Sequence, residues 1–430
     1  MSAAAPQAAA GQAAEVAARR SYGRLVAILS ARTRDIAAAE DALADAFARA
    51  LEHWPADGVP AAPEAWLLQV ARHRTLDAWR HRQVHDDATL TLQLVAEHYQ
   101  RDPQGGETVP DERLRLFFVC AHPAIDAPAR APLMLQTVLG LDVARMAGAF
   151  LSAPATLGQR LVRAKARIRA AGIPFEFPQA ADLPRRLQDV LDGIYAAYGT
   201  GWDELDGADG STQRGLTAEA IDLCRILCGL MPREPEPLGL LALMLFCESR
   251  AGARRDARGA YVPLAEQDLG RWDAALRARA EEALQRAAAL AALGPYQIEA
   301  AIQSAHCARR LGAPVPPAAL VALYDGLIAL RPGTAALVGR ACALAEAEGP
   351  AAGLEALDAL PRAQLAGYQP YWAARAHLLG QAGQVEAARE AYGRAMGLSA
   401  SAPVRAWLAA ASAELGRDAR RWANAQNGPT

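Results

Sequence analysis

The sequence predicts an all-α fold, and three observations carry that prediction. Alanine, leucine, arginine and glutamate, all favourable in helices, fill long stretches of the chain. Apolar residues within those stretches recur at three- and four-residue spacing, the period of one helix face. Alternating runs of β-branched residues are nearly absent, so no sheet is expected. Proline- and glycine-rich breaks fall at 55–63 (PADGVPAAP), 101–110 (RDPQGGETVP) and 172–184. They predict helical units at 15–85, 111–172 and 185–430, with linkers at 86–110 and 173–184.

The first unit opens on an acidic stretch. Residues 35–64 hold seven acids, among them Glu40, Asp41 and Asp45, and one base, Arg49. Such a face repels nucleic acid and calls for a basic protein surface. Directly after it, 66–85 (WLLQVARHRTLDAWRHRQVH) carries Arg72, Arg74, Arg80 and Arg82 against Asp77, with Trp66, His73, Trp79 and His81 interleaved. Guanidinium groups beside flat rings suit unpaired nucleic acid, where bases stack and arginines hold phosphates. Equally, Trp66, Leu67, Val70 and Trp79 could be core and the arginines a solvated face.

The second unit contains three helical patterns between Pro128 and Ile168: PARAPLMLQTVLGL, DVARMAGAF and, from Pro154, PATLGQRLVRAKARI. Proline is tolerated in a first helical turn, and the small Ala147 with Leu157 ten residues on suits a tight helix crossing, the rhythm of a trihelical DNA-binding domain. Arg160, Arg163, Lys165, Arg167 and Arg169 follow with no acid between them. That run can face phosphates or solvent.

In the third unit, WAARAHLLGQAGQVEAAREAYGRA places Trp372, Ala376, Gly383, Ala388, Tyr392 and Ala395 at the offsets of a tetratricopeptide repeat. Helix pairs around 216–252, 272–312 and 317–348 share the alternation but not that signature. A helical-pair solenoid is the reading.

Composition bounds the function. The 430 residues carry 45 bases and 47 acids, net −2, and a pI near 6.5. A chain this neutral is not a nucleic-acid binder over its whole surface. The average hides a division, however: 35–64 carries −6, 66–85 carries +3 and 160–169 carries +5. The longest strongly apolar run, Leu238 to Cys247, is about half the roughly 20 residues a bilayer span needs, so no membrane helix is expected. The first 20 residues do not fit a signal peptide, and a cytoplasmic location is expected. Six scattered cysteines read as reduced core residues; Cys224 and Cys228 share a helix face and could hold half a metal site, though core packing explains them more simply. His122-Pro123 and His306-Cys307 stand without a glycine-rich phosphate loop or nucleophile motif. No cofactor, metal or catalytic site is expected.

These residues resemble the ECF-type (extracytoplasmic function) RNA polymerase sigma factors of the sigma-70 family, in the long subgroup with a tetratricopeptide-like extension. Ala39 to Phe47 (AEDALADAF) is similar to sigma region 2.2, and the resemblance implies polymerase docking by Glu40, Asp41, Leu43, Asp45 and Phe47. Pro63 to Arg82 resembles regions 2.3 and 2.4, which implies minus-ten contacts by Arg72, His73, Arg74, Asp77, Trp79, Arg80 and Arg82. Asp111 to Pro123 and Gly140 to Ile168 resemble region 4, implying minus-35 contacts by Thr156, Gln159, Arg160, Arg163, Lys165 and Arg167. Pro235-Glu236, Leu238 to Met244, Gln267-Asp268, Trp272-Asp273, Gly294 to Gln297, Ala300 to Ile302 and His306 resemble the subgroup's extension. The pattern departs at Ala44, Arg145, Ala155 and the Tyr198-Gly199-Thr200-Gly201 stretch. The implied partners are core RNA polymerase, duplex promoter DNA, the melted minus-ten strand, and an unknown regulatory protein on the extension. The competing reading is a helical-repeat scaffold or drifted paralogue whose head binds DNA or polymerase without initiating transcription.

Overall fold

Aspartates start many of the helices. Asp35 accepts from the Ala38 amide at 3.2 Å, Asp111 from Arg113 at 2.8 Å and Asp142 from Arg145 at 3.0 Å, each satisfying an amide that the first turn leaves without a partner. The computed structural model describes residues 4–80, 111–148, 150, 152–179, 181–203, 210–361 and 365–426. Among them the architecture is all-α, and the one extended pairing is an isolated bridge between Arg255 and Tyr261. The expected linker 86–110, and with it Arg82, lies outside the described residues. No described helix is long and apolar enough to cross a membrane.

The described residues divide into two compact units, one ending at Leu230 and one beginning at Met231. The first contains α1 (Ala4–Thr33), α2 (Ile36–Asp57), α3 (Pro63–Arg80), α4 (Glu112–Cys120), α5 (Ala127–Leu139), α6 (Val143–Ala147), α7 (Pro154–Ala170), α8 (Leu183–Asp203) and α9 (Gly210–Leu230). Helix α2 buries Ile36, Ala39, Ala42, Leu43, Ala46, Ala50 and Trp54, one face at helical period, against α1 and α3. Trp54 meets Trp66 edge to face, ring centres 5.5 Å apart. Gly140, left-handed at φ 65°, ends α5; its N–H reaches the Gln136 carbonyl, and the Leu141 N–H that of Leu135, a cap that glycine permits without steric cost.

Two glycines fix how these helices meet. A Cβ on Gly23 in α1 would run into the Val138 carbonyl of α5. One on Gly193 in α8 would strike the Met134 sulfur and approach the Phe117 ring at 3.2 Å. Helix α8 therefore enters the core built by α4 and α5. Arg130 binds Asp189 at 2.8 Å, and Arg186 donates to the Phe118 carbonyl at 3.3 Å, on the same seam. The expected start of the C-terminal unit at 185 is thus not where the compact units part. Residues 183–203 and 210–230, periodic in sequence like the helices that follow them, belong to the first unit, where α8 buries Val190, Leu191 and Ile194.

The second unit runs through α10 (Pro235–Ser249), α11 (Ala274–Ala289), α12 (Pro295–Arg310), α13 (Pro317–Leu330), α14 (Thr334–Glu348), α15 (Pro350–Asp358), α16 (Gln369–Gln381), α17 (Val385–Leu398) and α18 (Ala402–Gln426). Successive helices pack on one another. Glu236 of α10 spans to the start of α12, accepting from the amides of Tyr296 at 2.9 Å and Gln297 at 3.2 Å. Gly239 allows that approach, since a Cβ there would lie 2.7 Å from the Gln297 nitrogen. Helices α16 and α17 form a hairpin whose turn holds Gly383 at φ 74°. Ala376, Ala388, Tyr392 and Ala395 are buried between them, and the Arg394 guanidinium lies over Trp372, 4.5 Å from the ring centre.

Candidate nucleic-acid interface

Helix α7 begins at Pro154 and buries Leu157, Leu161, Ala164 and Ile168, a stripe at four- and three-residue spacing against α5 and α6. Ala147 of the short α6 is buried with it. The α5–α6–α7 succession is a trihelical unit with α7 on its outside. At 100° per residue the opposite stripe consists of Ala155, Gln159, Val162, Arg163 and Ala166, all exposed. Thr156 is exposed near the start of the helix, while half-buried Arg160 and exposed Arg167 form one flank. The Arg163 Nε–H points back to the Gln159 carbonyl at 3.4 Å.

The other flank is turned inward. Lys165 Nζ donates to Glu40 Oε2 at 2.5 Å, the two side chains 12% and 18% exposed. Four residues on, Arg169 reaches Asp35 at 3.1 Å. A cation of the expected DNA-binding set and an acid of the expected docking set thus neutralise each other, and neither is presented outward here. Burial raises the Glu40 carboxyl above the ordinary carboxylate range, and the Lys165 ammonium offsets that only in part. The same carboxylate, with Asp41, adds to burial in pushing the Tyr22 hydroxyl up to about 12.

Helix α2 turns Asp41, Ala44, Ala48, Leu51 and Glu52 outward, an acidic strip with an apolar centre. Asp45 and Phe47 are half-buried at its edge. Leu43, in the expected docking set, is fully buried in the core, so it shapes the helix and offers no outer contact. On α3, Leu67, Leu68 and Ala71 are core, Trp66 is half-buried against Trp54, and His73 is exposed. Of the residues expected as core in that segment, Leu67 is buried and Trp66 and Val70 are half-buried. Arg72 is half-buried, and burial together with the neighbouring Arg32 lowers its guanidinium below the ordinary value. Arg74, Asp77, Trp79 and Arg80 lie on the helical backbone of α3, and their side chains are outside the described set.

Sequence reasoning did not find the Glu40–Lys165 and Asp35–Arg169 pairs, because nothing local links residues 125 and 134 apart. It also did not find a cavity of about 550 Å³ lined by Tyr22, Arg24, Arg113, Leu141, Arg145 and Glu219. Arg113 there is held by Asp111 at 2.5 Å and by Glu219 of α9. Of the other expected groupings, burial raises the Cys224 thiol beside Cys228 and lowers the His306 imidazole. No group of three or more potential metal ligands occurs among the described residues.

Residues 18–84, which span most of α1 through α3, match sigma-70 region 2. That match covers the head of the chain and supports a sigma-70 type factor. Residues 186–288 match a family of unknown function, DUF6596, so that match begins inside α8 of the first unit and ends inside α11 of the second. The chain is 38% identical over 380 residues to an uncharacterised protein of Rhizobium meliloti (strain 1021), covering 87% of this chain and 89% of that one. The two form one full-length family. It is also 31% identical over 168 residues to the probable RNA polymerase sigma factor RfaY of Xanthomonas campestris pv. campestris, 35% of this chain and 40% of that one. No solved structure matches.

Proposed function

We propose that this sigma-70 family protein is a dissociable initiation factor of the ECF long subgroup that acts in the cytoplasm. It docks on core RNA polymerase through the outward strip of α2, engages the unpaired minus-ten strand through α3, and reads the minus-35 duplex through α7. The helical extension from Met231, tetratricopeptide-like in its α16–α17 hairpin, modulates that activity through contacts with a regulatory partner. No step requires a cofactor or a bond made by the protein itself.

The observation that carries the reading is the match of region 2 to α1–α3, where the acidic strip of α2 and half-buried Arg72 of α3 occupy different helices. The acid-free basic helix α7, packed on the buried Met146 and Ala147 of α6, supports the duplex contact. Each bidentate arginine–guanine contact is worth about 1–3 kcal/mol of discrimination. Run-off transcription with core polymerase and full-length protein tests it: Arg163→Ala should lower promoter-directed transcript at least about fivefold and leave polymerase affinity intact. Asp41→Arg, at an exposed position, should weaken polymerase binding. A protein that binds polymerase but gives no specific transcript would be a scaffold or a drifted paralogue.

A further inference from the structure

We infer that the outward stripe of α7 reads a duplex DNA step in which a thymine methyl meets Val162 and a neighbouring guanine meets Arg163; this rests on the reading of residues 111–172 as a duplex-binding module. Val162 is 69% exposed, more than any other large apolar side chain described in the first unit. Neither packing nor helix preference accounts for valine there. A β-branched residue loses side-chain freedom in a helix without burial to compensate, and alanine, glutamine or arginine would serve a solvated face better. The helix around it is cationic in sequence, with five arginines and Lys165 but no acid between Asp142 and Glu176, and Arg160, Arg163 and Arg167 lie on the side away from the Lys165–Glu40 and Arg169–Asp35 pairs. An apolar point inside a positive surface complements a polyanion that itself carries an apolar point.

Duplex DNA meets that description. Its major groove, about 12 Å wide, admits an α-helix of about 10–12 Å, the phosphates lie on both rims, and the thymine C5-methyl is the apolar feature of the floor. Double-stranded RNA does not, since its major groove is too deep and narrow for side chains to read. Along the stripe, Gln159 precedes Arg163 by one turn and both are exposed. Glutamine pairs with adenine and arginine with guanine at their major-groove edges. The expected element therefore places a thymine beside a guanine, with an adenine toward the N-terminal end of α7. Lys165 and Arg169, paired with Glu40 and Asp35, take no part in this stripe.

The test uses the full chain with core polymerase. Selection from promoters with a randomised upstream element gives the preferred sequence, and each thymine in it is then replaced by uracil, which removes one methyl group. Wild type should lose about three- to fivefold in affinity at one thymine, Val162→Ala should show no loss at that position, and Arg163→Ala should lose discrimination at the adjacent G·C pair. If the upstream preference is real but no thymine depends on its methyl, or the dependence survives in Val162→Ala, the assignment is overturned while the duplex-binding reading stands. If no upstream sequence is preferred, or the helix instead captures an acidic protein in place of DNA, both fall.

Discussion

In the first unit, ion pairs join residues 59, 106, 125 and 134 apart: Arg130–Asp189, Arg113–Glu219, Lys165–Glu40 and Arg169–Asp35. In the second, the pairs between helices one or two places apart join residues 15 to 37 apart, from Arg340–Asp325 and Arg375–Asp358 to Arg331–Glu299 and Arg309–Glu346. The first unit is a knot of remote segments; the second is a stack in which each helix answers mainly to helices one or two places along the chain. A change in the knot should propagate through the whole unit, whereas a change in the stack should stay near its own helices.

The largest break is a truncation. A chain ending near residue 175 loses α8 and α9, and so uncovers Phe117, Phe118 and Met134, all fully buried in the intact unit. Losing Val190, Leu191 and Ile194 alone removes roughly 1.5–3 kcal/mol each, comparable to the stability of a whole domain. Circular dichroism and limited proteolysis should show 1–175 unfolded or molten and 1–230 cooperative; two equally well-folded fragments would refute the division at 230/231.

Next come the glycines. Gly23→Ala forces α1 away from the Val138 carbonyl and should cost about 3 kcal/mol or more. Gly158→Ala, with nothing within 4 Å, should be neutral or stabilise by up to about 1 kcal/mol. Thermal unfolding of both variants checks the pair. In the stack, Glu236→Ala leaves the Tyr296 and Gln297 amides without their carboxylate, a cost of about 1–3 kcal/mol. Hydrogen exchange should rise in α10 and α12 and stay unchanged in α16 and α17; a global rise would show the second unit to be as interlocked as the first.

The smallest effect is at Glu40. Because its carboxyl is raised, between the ordinary carboxylate value and the folded one the folded protein holds a proton there which the unfolded chain has released. The contribution is present below the ordinary carboxylate value and is lost as pH rises through the folded one. Glu40→Gln should flatten that part of the stability–pH profile. A double-mutant cycle with Lys165→Met should return a coupling of about 1 kcal/mol; zero coupling would make the pair incidental.

Several elements were legible without coordinates. The α5, α6 and α7 segments, Pro154 as a helix start, the buried Ala147 and Leu157, and the α16–α17 hairpin all follow from spacing, caps and small residues. Others were not. The basic run of α7 reads as one face in sequence, yet it divides into an outward stripe, a flank and an inward pair, because Glu40 and Asp35 lie on and before another helix. Leu43 stands among acids that suit docking but faces the core. The 172–184 break looks like a domain boundary, yet α8, which follows it, packs back against Phe117.

The sequence by itself determined the helices, their order and the segregation of charge, since these depend on interactions within one or two turns. Tertiary structure alone decided which charges remain available. Whether Lys165 meets a phosphate or Glu40, and whether residues 183–230 join the head or the stack, turns on apposition of segments far apart in the chain, which no local window encodes.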